Sequence, residues 1–339
     1  MEAAVAEIFG EHIIEEAAKR FGLRFGSQRK LGDFENYVFE MERNGELSIL
    51  RLTHSSHRSE AQIAAELSWI SYLVSQGLKI PQCYRSQNGR TTELIEAGGS
   101  YFTASLFEKA RGHLPDYTNP AQWNVDLFRQ WGELTGRMHA ATTRYVVRDD
   151  ELRRSSWDDD DLIKNANDYI LPGDEYVLER LNEVLAHLHG LRSSNDVYGL
   201  IHTDIHPRNF FVSDGEISVF DFDDCAYNWF IHDVAIPLYY SLTWVPFENS
   251  SSKTQFAQDF FQAFWSGYRC AYELPLEWLE HLPYFLKLRD ICLYLVLNKK
   301  TELIDRSARL QQWMEEMRDR IKRNVPIVQL DYHSLSERG

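Results

Sequence analysis

Near the middle of the chain two short apolar runs, residues 210–212 (Phe-Phe-Val) and 217–220 (Ile-Ser-Val-Phe), flank the turn-forming segment Ser213-Asp-Gly-Glu216. β-branched and aromatic residues on either side of an Asp-Gly turn predict a hairpin. A hairpin sets the loop that enters its first strand beside the loop that leaves its second. The entering loop, His202-Thr-Asp-Ile-His-Pro-Arg-Asn209, carries Asp204 and, five positions later, Asn209. The leaving loop carries Asp221, twelve positions beyond Asn209. Three oxygen-bearing side chains are therefore expected at one place. Magnesium favours a few carboxylate and amide oxygens together with phosphate oxygens. Phosphoryl transfer needs that metal, and it needs a carboxylate to orient a hydroxyl and take its proton. A single Asp in a turn is ordinary; the three positions at these spacings, flanked by strands, carry the reading. A two-metal hydrolase would want a His/Asp cluster. His202, Asp204 and His206 share one loop, and the Asn and Asp spacing fits phosphoryl transfer better. His206, with no evident partner, reads as structural.

The rest of the chain frames this segment. Its 339 residues, 44% of them hydrophobic and 13% aromatic, are enough for two lobes, each with a core. Residues 4–20 read as an amphipathic helix stopped by Gly22. Residues 36–42 and 47–52 read as strands joined by an Asn44-Gly45 hairpin turn. Ser59 opens a helix over 60–76, with apolar residues at Ile63, Leu67, Ile70 and Leu73, closed by Gly77. Residues 91–107 read as two strands around Ala97-Gly-Gly-Ser100. Helices follow at 120–142, 174–192 and within 254–322. The Asp158-to-Asp161 run reads as a solvated face, and the polar segment after Asn324 as mobile. The expected organisation is α+β: a small β-rich lobe with one packed helix and a leading helix (residues 1–107), a hinge at 108–112, and a larger, mostly helical lobe at 113–339.

The balance of 36 basic and 51 acidic residues gives a net charge of -15. Nucleic acid requires a basic surface, so it is excluded as an expected partner, whereas a cationic small molecule fits the charge better. No run approaches the roughly 18 apolar residues of a membrane span. The start, Met-Glu-Ala-Ala-Val-Ala-Glu, lacks the basic and apolar stretches of a signal peptide, which predicts a cytoplasmic protein with no membrane partner. Cys83, Cys225, Cys270 and Cys292 form no CxxC pair and read as free thiols.

His202-Thr-Asp204, Asn209 and Asp221-Phe-Asp223 resemble the H-R-D-x-x-x-x-N and D-F-G loops of protein kinases. The His-Pro before Asn209 and the Asp221-Phe-Asp-Asp sequence bring the chain closer to the aminoglycoside phosphotransferase and choline kinase superfamily. Gly136-Arg-Met-His139 and His232-Asp-Val-Ala235 resemble further segments of that group. Within it, the chain resembles the branch of homoserine kinase-like and RdoA-type stress-response kinases, over residues 28 to about 300. The resemblance implies a bilobal, protein-kinase-like fold using ATP or GTP and Mg2+. It implies Asp204 as catalytic base, Asn209 and Asp221 as metal ligands, His202 as a structural support, and Asp233 as a helix cap bracing the catalytic loop. On the nucleotide side it implies Arg51 as phosphate-binding cation, where protein kinases carry lysine, paired with Glu66 or, failing that, Glu60. Backbone amides from Gly32 to Asn36 would cover the phosphates, and Glu108, Lys109 and Ala110 would read the adenine edge. Asp223, Arg208, Tyr239, Tyr268 and Arg289, with Tyr240 and Trp265, are candidates to line the acceptor site. The function implied is transfer of a γ-phosphoryl group to the hydroxyl of a small molecule of amino alcohol or amino sugar type. A protein Ser/Thr kinase of the stress-response type and a non-catalytic nucleotide-binding relative are the alternatives. The oligomeric state is left open.

Overall fold

Asn44 and Gly45 both take positive φ (53° and 86°), the conformation a two-residue turn needs if its twist is to match the strands it joins. That turn links β2 (Tyr37–Arg43) to β3 (Glu46–His54), paired in register from Tyr37 opposite Leu52 to Arg43 opposite Glu46. The computed structural model describes residues 3–147, 152–301 and 306–337. Its contacts divide the chain into two units. The first comprises Met1–Gly112, Tyr145–Arg154 and Ser218–Asp223; the second comprises His113–Arg144, Ser155–Ile217 and Asp224–Gly339.

The first unit is built on an antiparallel sheet. Besides β2 and β3 it contains β1 (Arg29–Gly32), β4 (Cys83–Tyr84), β5 (Glu93–Ala97) and β6 (Ser100–Glu108), in the order β1-β2-β3-β6-β4, with β5 also pairing β6. β3 and β6 are central, and their middle residues are buried because both sheet faces are covered. The expected leading helix is two: α1 (Ala3–Ile8) and α2 (Glu11–Phe21). The break falls at Gly10, a poor helix former, which is extended at φ -154° and begins α2. Just before it the Phe9 ring stacks on Tyr37, centroids 3.5 Å apart. Ile13, Ala17 and Phe21 of α2 share a core with Phe39, Leu50, Leu52 and Phe102 of the sheet. Gly22 ends α2 in the left-handed region (φ 68°). α3 (Glu60–Ser75) opens on a capping box, Ser59 and Gln62 each accepting the other's backbone N–H.

The second unit is mostly helical. α4 (Val125–Thr142) and α8 (Ser250–Ala271) pack closely because glycines stand where they meet. A Cβ on Gly132 would lie 1.8 Å from the Phe264 carbonyl oxygen, and one on Gly267 1.8 Å from that of Arg129. β7 (Tyr198–Ile201) pairs antiparallel with β10 (Ala226–Trp229). β8 (Phe210–Ser213) begins the predicted hairpin, and β9 (Glu216–Val219) completes it and carries the chain into the first unit. The remaining helices are α5 (Asp161–Lys164), α6 (Tyr176–His189), α7 (His232–Trp244), α9 (Leu282–Lys300), α10 (Ala308–Arg323) and α11 (Tyr332–Ser336).

One expectation is corrected and another extended. The segment after Asn324 buries Ile327, Val328, Tyr332 and Leu335 and forms α11, so it is packed rather than mobile. The acidic run is engaged as well as solvated: Asp158, Asp159 and Asp161 pair with His189, Lys164 and Lys299. Among the described residues no helix is long and apolar enough to cross a membrane.

Candidate active site

Thr203 has φ 69°, a left-handed conformation that is costly for a β-branched residue and persists only where the surroundings impose it. Three hydrogen bonds impose it here. Thr203 N–H donates to Asp233 Oδ1 (2.8 Å), Thr203 Oγ1 donates to the Asp224 carbonyl (2.8 Å), and His232 Nε2 donates to the Thr203 carbonyl (3.1 Å). The other Asp233 oxygen accepts from His202 N–H (3.1 Å) and faces His139 Nε2 at 3.4 Å. Asp233 is fully buried near the start of α7. Burial pushes its carboxyl upward, but the His139 hydrogen bond and the nearby histidines outweigh that and hold it below the usual carboxylate range. One charged residue thus fixes the backbone immediately before Asp204. Buried His202 closes the turn, its Nδ1 accepting from Asp204 N–H at 3.3 Å.

The Asp204 carboxylate is held at both oxygens. Oδ1 accepts from Arg289 Nη2 of α9 at 2.5 Å. Oδ2 lies 3.4 Å from Asn209 Nδ2 and 3.4 Å from His206 Nε2. Asn209 Nδ2 also donates to the Asp204 carbonyl (2.9 Å). The amide nitrogen is thereby committed and the amide oxygen is the atom left for another partner. Arg289 donates in addition to the Tyr240 phenol oxygen. His206 packs edge-on to Tyr240 and Trp244, with centroids at 4.8 and 5.2 Å. Burial, then the charges of Arg289, His202 and Arg208, push its imidazole down to about 3, so it is neutral at physiological pH.

In the first unit, Arg51 of β3 makes a bidentate pair with Glu66 of α3, at 2.8 and 2.7 Å. The two side chains are only 6% and 1% exposed, and Arg51 Nε is buried without a partner. Glu60, the alternative partner, instead accepts from Thr92 Oγ1. Arg51 Nη1 lies 3.8 Å from Asp223 Oδ1, and Asp223 Oδ2 accepts from His57 Nε2 at 2.7 Å. Burial alone would raise the Asp223 carboxyl; the His57 hydrogen bond and the charges of Arg58, His57 and Arg51 take it well below the usual range. Glu35 completes a group with His57 and Asp223 whose ligand atoms lie within 4.8 Å of one another. Arg51 already supplies positive charge beside it. Asp221 belongs to the same unit and takes φ 66°, which Asp tolerates better than most residues. Arg154 ties the Asp223 carbonyl (2.6 Å) to that of Gln62 (3.2 Å).

The remaining predicted residues are placed as follows. Gly32 ends β1, and Asn36, just before β2, is buried with its Oδ1 unpartnered. Glu108 ends β6 and its N–H donates to the Gln82 carbonyl (2.8 Å); Lys109 pairs with Glu40 (2.6 Å), and Ala110 follows in non-regular backbone. Arg208 is exposed, its guanidinium 5.7 Å from the Trp244 ring centre. Tyr239, Trp265 and Tyr268 are corrected from acceptor-site candidates to core residues. Their exposures are 0%, 1% and 0%, Tyr239 donates to Asp290 (2.6 Å), and the Tyr268 hydroxyl is bound to His139 Nδ1 (2.8 Å). Sequence reasoning missed His57, Arg154, Trp244 and the brace through His139. Arg154 and His57 reach Asp223 from far along the chain without any local pattern; Trp244, at the end of α7 one turn beyond Tyr240, was visible by helical spacing.

An antiparallel sheet presenting a buried Arg–Glu pair, together with a helical unit whose braced loop presents an Asp and an Asn, are the parts of a kinase-like phosphotransferase. The chain belongs to the phosphotransferase enzyme family, whose model matches residues 28–274, and it is a kinase. It is 32% identical over 326 residues to the amicoumacin kinase of Bacillus subtilis (strain 168), with 96% of each chain covered. Among solved structures it is similar to amicoumacin kinase hAmiN in complex with AMP-PNP, Ca2+ and Ami, with a TM-score of 0.92 and 36% identity over 99% of this chain and 100% of that one. The microcompartment-associated aminopropanol kinase (TM-score 0.76, 20% identity, 94% and 100% covered) shares the fold.

Proposed function

We propose that the protein transfers the γ-phosphoryl group of ATP to a hydroxyl of a small molecule, with Mg2+ and with Asp204 as the base. The observation that carries this reading is the treatment of Asp204. The loop before it is held in a strained conformation, and its carboxylate is fixed by Arg289 and Asn209. Preorganisation of this kind suits a group that must meet a hydroxyl in one orientation. The Asn209 amide oxygen and the Asp221 carboxylate would hold the cation. An all-oxygen donor pair suits a hard ion that keeps its remaining sites for water and phosphate oxygens. When bound, Mg2+ would neutralise charge on the phosphates. Asp223 stands with Arg51 on the nucleotide side of this division of labour.

In this reading residues 1–107 hold the nucleotide, 108–112 link the lobes, and 113–339 carry the base and the acceptor. Arg51, oriented by Glu66, binds phosphate. Backbone from Gly32 to Asn36 covers it, and Glu108, Lys109 and Ala110 meet the base. Asp233 and His202 support the loop. Near-full-length similarity to two amicoumacin kinases makes amicoumacin the first acceptor to test.

The test is ATP turnover by purified protein with Mg2+ across amicoumacin, amino alcohols, aminoglycosides and a generic protein substrate. Turnover is expected with one small acceptor, to be lost on addition of EDTA and restored by Mg2+. Asp204→Ala is expected to abolish turnover while keeping Mg-ATP binding, and Asp221→Ala to impair metal-dependent nucleotide binding itself. Normal turnover by Asp204→Ala would refute the assignment of the base.

A further inference from the structure

Arg289 lies beyond residues 28–274, the stretch matched by the family model, yet it is the residue that grips Asp204. One of its nitrogens serves both Asp204 Oδ1 (2.5 Å) and the Tyr240 oxygen. Its guanidinium carbon lies 4.9 Å from the Tyr240 ring centre. The phenol oxygen and the carboxylate therefore lie no further apart than two hydrogen bonds, at most about 6 Å. Because Tyr240 accepts from Arg289, its own O–H points elsewhere, and among the described residues nothing accepts it. Tyr240 is 6% exposed. A buried O–H donor with no acceptor beside the base is costly unless a bound molecule supplies one.

The charges around this donor are balanced. Arg289 and Asp204 form an ion pair; burial works against the guanidinium's charge, but Tyr240 and Asp204 outweigh it and keep Arg289 charged. Further off, Asp224 adds a negative charge that acts on Tyr240, and the exposed Arg208 adds a positive one that acts on His206. His206 is neutral. The net charge of -15 is not concentrated here. An ammonium placed next to the reacting hydroxyl would meet Arg289 and find Asp204 already paired.

We infer that Tyr240 and Arg289 select an acceptor whose reacting hydroxyl is flanked by an oxygen (hydroxyl or carbonyl) and not by an amine, with the Tyr240 O–H donating to that oxygen. Arg289 is also a positioning residue, acting through Asp204 by fixing the orientation of its carboxylate at Oδ1. The inference rests on Asp204 being the base and deepens that reading by narrowing the substrate class.

The test is steady-state kinetics with Mg-ATP over matched acceptors: 1,2-diols and 2-hydroxyamides against 2-amino alcohols, with thermal melts to check folding. Oxygen-flanked acceptors are expected to exceed amine-flanked ones at least tenfold in kcat/KM. Tyr240→Phe keeps the ring and loses the hydroxyl, and with it the hydrogen bond accepted from Arg289 and the one donated to the acceptor; the Arg289–Asp204 pair remains. It is expected to raise KM for oxygen-flanked acceptors about tenfold, with kcat within about twofold, and to abolish the preference. Arg289→Met is expected to lower kcat for every acceptor more than tenfold, with Arg289→Lys recovering part of it. Preference for amine-flanked acceptors, turnover of no panel member, or unchanged KM in Tyr240→Phe would overturn the inference. Retained turnover in Asp204→Ala would instead sink the base, while the acceptor preference and the Tyr240→Phe result would be judged on their own data.

Discussion

Replacing Glu66 with Gln tests the buried pair behind Arg51, the residue proposed to bind phosphate, while barely changing its volume. In the wild type, Arg51 and Glu66 exchange two charge-assisted hydrogen bonds of 2.8 and 2.7 Å where almost no water reaches. Breaking such a pair from one side costs roughly 3–5 kcal/mol, mostly because a desolvated charge is stranded. Asp223, 3.8 Å from Arg51, remains as partial compensation, which places Glu66→Gln near the lower end, about 3 kcal/mol. Urea unfolding measures it. The double variant Arg51→Met/Glu66→Leu removes both charges, and apolar replacement of a buried pair is close to neutral. It is expected to recover all but about 1–2 kcal/mol of wild-type stability and to have no ATP turnover. The single variant, by contrast, should retain weakened turnover with a raised KM for ATP. A cost below about 1 kcal/mol for Glu66→Gln, or a double variant no more stable than the single one, would show that the pair is not behaving as a desolvated ion pair.

His232 gives a prediction about pH. Burial above all, then Arg289, lowers its folded-state pKa to about 4, with Asp233 opposing. The unfolded chain therefore binds a proton that the folded chain does not as pH falls below about 6.5, and stability drops through that window until about 4. Between pH 7.5 and 4.5 the wild type should lose about 2–3 kcal/mol more than His232→Gln, measured by urea unfolding at each pH; equal losses would refute it. Gly132→Ala should destabilise by more than about 3 kcal/mol, since its Cβ would fall 1.8 Å from a carbonyl oxygen and α4 and α8 would have to separate. A thermal melt within a degree or two of wild type would contradict that packing.

The parts legible in sequence were those whose signal is local. The Asn44-Gly45 turn, the Ser59 cap, the Gly77 stop and the hairpin at 210–220 each rest on residue types within a few positions, and the backbone has little freedom to override them. Asp204 and Asn209 were legible as a spacing in one loop, and the Asn209 amide does reach Asp204. The break at Gly10 was missed because the apolar period runs straight through it, and Phe9 stacking on Tyr37 is a tertiary effect. Tyr239, Tyr268 and Arg289 looked alike in sequence, as polar-tipped residues on C-terminal helices. Only three-dimensional partners separate them: Asp290 and His139 take up the two phenols inside the core, whereas Arg289 turns to Asp204. Likewise His57 and Asp223, 166 positions apart, share no pattern that one chain could reveal.

Arg289 and Asp290 are neighbours on α9, yet they serve different networks. Arg289 reaches Asp204 and Tyr240, while Asp290 accepts from Tyr239 and from Arg320 of α10. Successive helical residues are turned by about 100° from one another, so α9 has a single workable phase. Losing one residue ahead of Arg289 would present a carboxylate to Asp204; gaining one would present an apolar side chain and turn the guanidinium toward the phenol that Asp290 holds. The number of residues between the 3-10 turn at Leu276–His281 and Arg289 therefore sets which side chain of α9 meets the Asp204 loop.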